Sequence, residues 1–116
     1  MPVLIAVSRL ETLIARIFER TTCDDEEAAL LAHYLVDANL AGHDSHGVLR
    51  TARYVTWLED EVLFAGRKIE VVSENQAMAI LDGNRGMGHT VAKQAVRFGL
   101  DRARDTGCYI VALRNA

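Results

Sequence analysis

Apolar positions recur at helical spacing through the first half of the chain and at strand spacing in parts of the second. Leu10, Leu13, Ile14, Ile17 and Phe18 fall at i, i+3, i+4, i+7 and i+8, which predicts one apolar face of a first helix. Ser8-x-x-Glu11 just before it has the spacing of a capping box, in which each side chain satisfies the other residue's free backbone N–H. Asp24-Asp25-Glu26-Glu27 puts carboxylates where the positive end of a second helix favours them. Leu31, Leu35 and Ala38 carry its buried face, Ala28 and Ala32 let a neighbour approach closely, and Gly42 is placed to end it. His33 within it reads as an exposed or core-edge histidine. Asp44 is a candidate N-cap for a third helix with Val48, Ala52, Val55 and Leu58 inward and Tyr54 and Trp57 as core or interface aromatics. The acids Glu59-Asp60-Glu61 are unfavourable at a helix C-terminus, so this helix is expected to end near Leu58.

After Gly66 the period changes. Lys68–Ser73 and Ala77–Leu81 read as short strands joined through Glu74-Asn75-Gln76 as a hairpin. The glycine-rich turn Asp82–Gly88 follows and feeds a helix with Val91, Ala95, Phe98 and Ala103 inward, closed by Gly107. Cys108–Leu113 is a nearly continuous apolar strand, as expected of one covered on both faces. The fold class is therefore α/β: a three-helix N-terminal segment at residues 1–66, then an incomplete ββαβ portion of a mixed sheet at residues 67–116. A buried-looking strand so close to Ala116 leaves its ladder wanting a neighbour, so the chain is expected to be the front part of a longer one, or a protomer completed by another.

Composition narrows the function classes. At 116 residues and 50% hydrophobic content the chain has enough apolar side chains for a real core. Its 13 Lys and Arg are scattered among 16 Asp and Glu, for a net charge of −3, and form no basic stripe, which argues against a nucleic-acid partner. The longest apolar runs fall far short of the roughly 20 residues of a membrane span, and the apolar N-terminus lacks the basic start of a signal peptide. Cys23 and Cys108 stand far apart, without a metal or redox spacing; free thiols in a reducing cytoplasm are the expectation.

The chemistry concentrates in Gly42-His43-Asp44-Ser45-His46-Gly47-Val48-Leu49-Arg50. His43-x-x-His46 with Asp44 could begin a metal site, but no third and fourth ligand stands at a readable spacing, and no metal is expected. An imidazole titrates near working pH, which general acid–base catalysis requires, and this makes His46 the candidate proton carrier. On a helix capped by Asp44, Arg50 would share a face with His46 and could hold a substrate carboxylate bidentately, with Ser45 adding a hydrogen bond. The competing reading has Ser45 and His46 merely capping and Arg50 in a surface ion pair. Gly83-x-x-Gly86-x-Gly88 follows a strand and opens a helix, as a dinucleotide-binding turn does, yet its glycines lack the G-x-G-x-x-G order. A turn whose glycines supply positive φ is the other reading.

Asn39-Leu40-Ala41-Gly42-His43-Asp44-Ser45-His46-Gly47-Val48-Leu49-Arg50, followed by Tyr54-Val55, resembles the N-terminal signature of the malate/L-lactate dehydrogenase family. This is the non-Rossmann group that includes sulfolactate, ureidoglycolate and diketogulonate oxidoreductases. Leu81–Gly88, the helix after it and Gly107–Asn115 are similar to that family as well, whereas Glu59–Asn75 lacks its usual Gly- and Pro-containing connector. The resemblance implies the N-terminal part of an NAD- or NADP-dependent enzyme interconverting a 2-hydroxy acid and its 2-oxo acid. It implies that His46 exchanges the proton, that Ser45 and Arg50 contact the small acid substrate, and that the assembly is a homodimer. It assigns no cofactor-binding residue in this stretch, and the piece alone is expected to be inactive. The reading from another class is a truncated, non-catalytic helical dimerisation or interaction domain.

Overall fold

A computed structural model describes residues 2–116. The chain divides into two compact units, one running to Ala65 and the other Gly66–Ala116. The first holds helices α1 (Val7–Glu19), α2 (Asp25–Leu40) and α3 (Thr51–Glu59), with two short 3₁₀ turns at Asp44–His46 and Val48–Arg50 between α2 and α3. α1 packs on α2, burying Ile14 and Phe18 together with Ala28, Leu31, Ala32, Leu35 and Val36. Each large apolar side chain removed from water here contributes about 1.5–3 kcal/mol. The apolar face of α1 is narrower than its spacing predicts, for Leu13 and Ile17 are exposed.

Both ends of α2 follow from its sequence. Asp24 accepts from the Glu27 backbone N–H at 2.8 Å, and three acids fill the first turn. At the other end Gly42 takes φ 81°, its N–H reaches Asn39 O at 3.0 Å, and the His43 N–H reaches Ala38 O at 2.8 Å, a Schellman closure. The Ser8–Glu11 capping box does not form. α1 starts at Val7, so Ser8 already lies inside the helix, its carbonyl accepts from Thr12 Oγ1, and Glu11 turns instead to His33 Nδ1 at 3.2 Å. Cys23 is buried and free, and burial pushes its thiol above the ordinary range, which suits a packing role. Cys108 is exposed and also free.

In the second unit β1 (Glu70–Glu74) pairs antiparallel with β2 (Met78–Asp82), and β2 pairs parallel with β3 (Ile110–Arg114), giving the order β1-β2-β3. Asn75 closes the hairpin, its Oδ1 accepting from the Ala77 and Met78 N–H groups at 2.8 and 2.9 Å. A register shift between Val71 and Ser73 leaves Val72 as a bulge. Parallel strands need a crossover, and α4 (Gly88–Thr106) supplies it. Gly99 allows close docking: a Cβ there would stand 2.8 Å from Val111 Cγ2. The core is Ala79, Leu81 and Ala95, flanked by Ile69, Phe98, Tyr109, Val111 and Leu113. β3 departs from the expectation of burial on both faces. Its alternate residues Ile110, Ala112 and Arg114 are exposed, because within this unit α4 covers one face of the sheet and nothing covers the other. Among the described residues no helix is long and apolar enough to cross a membrane.

Candidate functional site

The expected third helix does not begin at Asp44. Asp44–His46 forms one 3₁₀ turn, Gly47 is extended at φ −89° and ψ −152°, Val48–Arg50 forms a second, and α3 starts only at Thr51. The break at Gly47 removes the helical face that would align His46 with Arg50 and the helix N-terminus that would lie beside His46. It also leaves Ala52 exposed rather than inward. Asp44 caps nothing; its Oδ1 accepts from Asn39 Nδ2 at 2.8 Å.

Ser45, His46 and Arg50 nevertheless share one short turn. Ser45 Oγ lies 3.0 Å from His46 Nδ1. Arg50 folds back so that its Nε donates to the Ser45 carbonyl oxygen at 2.7 Å. Among the described residues the Arg50 Nη groups and His46 Nε2 have no hydrogen-bond partner, and the His46 side chain is exposed. A guanidinium with its end-on fork open and an imidazole with one nitrogen tethered and the other free thus come from one segment. The fork suits a carboxylate, and the free nitrogen suits proton exchange with a neighbouring oxygen. The His43 ring stands edge-on to His46, with centroids 6.3 Å apart. Among the described residues no cluster of three or more His, Cys, Asp or Glu is placed to hold a metal ion.

Asn39 belongs to the signature, yet the sequence alone gives it no role. Its amide spans the turn, Oδ1 accepting from the Val48 N–H at 2.8 Å and Nδ2 donating to Asp44. Gly47 lies directly beneath it: a Cβ there would fall 2.2 Å from Asn39 Oδ1 and 2.6 Å from Nδ2. No periodicity links positions 39, 44 and 48, so only the turn's own geometry brings this contact out.

The glycine-rich turn of the second unit corrects the positive-φ reading. Its left-handed residues are Asn84 (φ 54°) and Arg85 (φ 55°), not its glycines. Gly83 and Gly86 serve close packing. A Cβ at Gly83 would meet Asn115 O at 2.9 Å, and one at Gly86 would meet Val91 Cγ1 at 2.7 Å and Arg67 Cβ at 2.8 Å. Their open sides are filled by protein, so they form no cradle for a pyrophosphate. Asp82 ties the adjacent strand ends, with Oδ1 accepting from the Asn84 N–H and Oδ2 from Arg114 Nε and Asn115 Nδ2. The Asn84 N–H, then Asn115 and Arg114, hold its carboxyl below the usual range. Burial lowers His89.

The profile of the malate/L-lactate dehydrogenase family matches residues 5–116. Hydroxycarboxylate dehydrogenase B of Escherichia coli O157:H7 is 36% identical over 107 residues, which cover 92% of this chain and 30% of that protein. The L-sulfolactate dehydrogenase of Methanocaldococcus jannaschii is 35% identical over 104 residues, 90% of this chain and 30% of its own length. The solved malate dehydrogenase of Pyrococcus horikoshii superposes with a TM-score of 0.91 at 34% identity, covering 97% of this chain and 32% of that one. The chain thus spans about 30% of the length of the relatives it matches.

Proposed function

This chain belongs to the malate/L-lactate dehydrogenase family, and we propose that it is the N-terminal portion of an oxidoreductase interconverting a 2-hydroxy acid and its 2-oxo acid, with NAD or NADP as the hydride partner. The observation that carries this reading is the shared turn, in which Ser45 Oγ stands 3.0 Å from His46 Nδ1 and Arg50 Nε is held on the Ser45 carbonyl oxygen at 2.7 Å. Malate and sulfolactate, the acids named for relatives, are both 2-hydroxy acids, and this supports the substrate class.

A bound nicotinamide supplies or accepts the hydride at the substrate's C2; no residue of this chain is assigned to hold it. Arg50 anchors the substrate carboxylate through its Nη pair, two parallel N–H···O bonds that fix the orientation of the adjacent carbon. His46 in its imidazolium form gives the Nε2 proton to the C2 oxygen during reduction and takes it back during oxidation. Ser45 Oγ accepts the Nδ1–H in the imidazolium and in the neutral ring that remains, so the imidazole need not turn between the two half-reactions. Homodimeric assembly and a cytoplasmic site of action belong to the same reading. The family resemblance supports the first and the two unpaired cysteines support the second.

The test is His46→Gln in the complete dehydrogenase. Turnover is expected to fall about 100-fold or more with nucleotide affinity kept, the usual scale for a lost acid–base group. Arg50→Lys is expected to raise the KM for the acid roughly tenfold or more by removing the fork. Unchanged turnover in His46→Gln would sink the assignment.

A further inference from the structure

We propose that Asn39 is the positioning residue of this site, its amide clamping the Asp44–His46 turn to the start of the Val48–Arg50 turn, with the Asp44 carboxylate as its acceptor. The proposal rests on the reading of His46 as the proton carrier. Its physical core is a chemical constraint on the amide. The Val48 N–H can only donate, so the atom facing it at 2.8 Å must be the Asn39 oxygen. The Asp44 carboxylate, as an ion, can only accept, so the atom facing it at 2.8 Å must be the Asn39 nitrogen. One side chain in one orientation therefore meets both requirements, and neither a carboxylate nor an apolar group can replace it.

The clamp acts on His46 through the backbone. Asp44 opens the turn that ends at His46, and Val48 opens the turn that ends at Arg50. Fixing both to Asn39, within the last turn of α2, sets the two 3₁₀ turns relative to a packed helix. Past the Gly42 and His43 N–H groups, which close α2, the backbone of the loop is bonded only locally, His46 N–H to His43 O at 2.9 Å, Gly47 N–H to Asp44 O at 3.1 Å and Arg50 N–H to Gly47 O at 3.0 Å. None of these ties it to α2. Gly47 completes the device, since any side chain there would displace the amide. In this arrangement Asp44 is neither a helix cap nor a partner of the imidazole; it holds the holder.

An exchange of partners tests this in the complete dehydrogenase. Asn39→Asp sets two carboxylates against each other and is expected to lower kcat about tenfold or more, leave the KM for nucleotide unchanged, and raise hydrogen exchange at Val48 about tenfold. Asp44→Asn alone keeps an acceptor oxygen and is expected to stay within about threefold of the parent, because the amide bond to Asn39 survives. The double variant Asn39→Asp with Asp44→Asn rebuilds the clamp in reverse. The carboxylate then at position 39 accepts from both the Val48 N–H and the amide then at position 44, so both kcat and exchange protection are expected to recover to within about threefold. If Asn39→Asp fails to fold, a folded double variant is itself the rescue. Failure of the double variant to recover, or an Asn39→Asp protein that behaves as the parent, overturns the clamp. The His46→Gln result judges the dehydrogenase reading separately, since exchange at Val48 reads the clamp whatever His46 does.

Discussion

Past the Schellman closure at Gly42 and His43, the backbone up to Arg50 is fastened to its helix by a side chain, the Asn39 amide. From Asp82 to Gly88 it is fastened largely by other backbone, with the Gly83 N–H on Arg114 O and the Arg85 N–H on Asn115 O, both at 2.8 Å. Both turns carry glycine (two in the first, three in the second), both precede a helix, and both look chemical in sequence. The first exposes its polar side chains and keeps a guanidinium fork and an imidazole nitrogen open. The second consumes its own polar groups: Asp82 takes three donors, and the missing side chains of Gly83 and Gly86 are replaced by neighbouring atoms. A turn held by one side chain can present reactive groups because its backbone need not be buried. A turn held by backbone on both sides has become part of a sheet's end.

Substituting the glycines tests that contrast most directly. Gly47→Ala places a methyl 2.2 Å from Asn39 Oδ1, so the amide must leave and both of its bonds are lost. Destabilisation of the first unit by roughly 2–3 kcal/mol is expected, read by urea unfolding through Trp57, the single tryptophan. A cost under about 0.5 kcal/mol, the range of neutral surface changes, would mean that the amide does not bear on the turn. Gly86→Ala meets Val91 Cγ1 at 2.7 Å, Arg67 Cβ at 2.8 Å and Gly83 O at 3.0 Å. Part of that crowding is side chain that can yield, so roughly 1–2 kcal/mol is expected. The loss should appear as faster hydrogen exchange in the second unit with Val48 unaffected; matching losses at Val48 would break the separation of the two turns.

The smallest effect is in acid, and it falls on the second unit. Asp82 is held below its ordinary value near 3.8, so the stability it brings is complete above that range and is lost as pH falls through its lower folded value. Half-buried His89 lies below its ordinary value near 6.5 because burial disfavours its charged form; the folded state resists its protonation, and stability declines as pH falls from that range. Protection across residues 82–91, taken relative to the exchange of the unfolded chain at each pH, should therefore fall in two stages on acidification, with His89→Gln removing the upper stage and Asp82→Asn the lower. A profile unchanged by either substitution would free both groups of this role.

Where a feature depends on near neighbours in sequence, it is legible there. Asp24 as cap, the acids after it and Gly42 at φ 81° all follow from one helical turn of context. The grouping of Ser45, His46 and Arg50 is legible too, but for the wrong reason. Asp44 followed by small and polar residues reads as a helix start, and only the amide of Asn39, reaching across to Val48, shows why the chain is extended at Gly47 instead. The apolar content of β3 speaks of burial but not of which face is covered. The order of the glycines after β2 is informative about what they are not. Whether a glycine supplies a left-handed angle or merely room depends on what stands beside it, and Val91 and Asn115 come from elsewhere in the chain.

The bulge at Val72 gives the small sheet a direction of growth. β1, wholly exposed, is kinked there, and a bulged strand is a poor template for a further partner. β3 shows no such irregularity; its register with β2 runs unbroken from Ile110 to Arg114, and its outer edge has no partner among the described residues. A further strand would therefore meet an unbroken ladder at β3 and an interrupted one at β1.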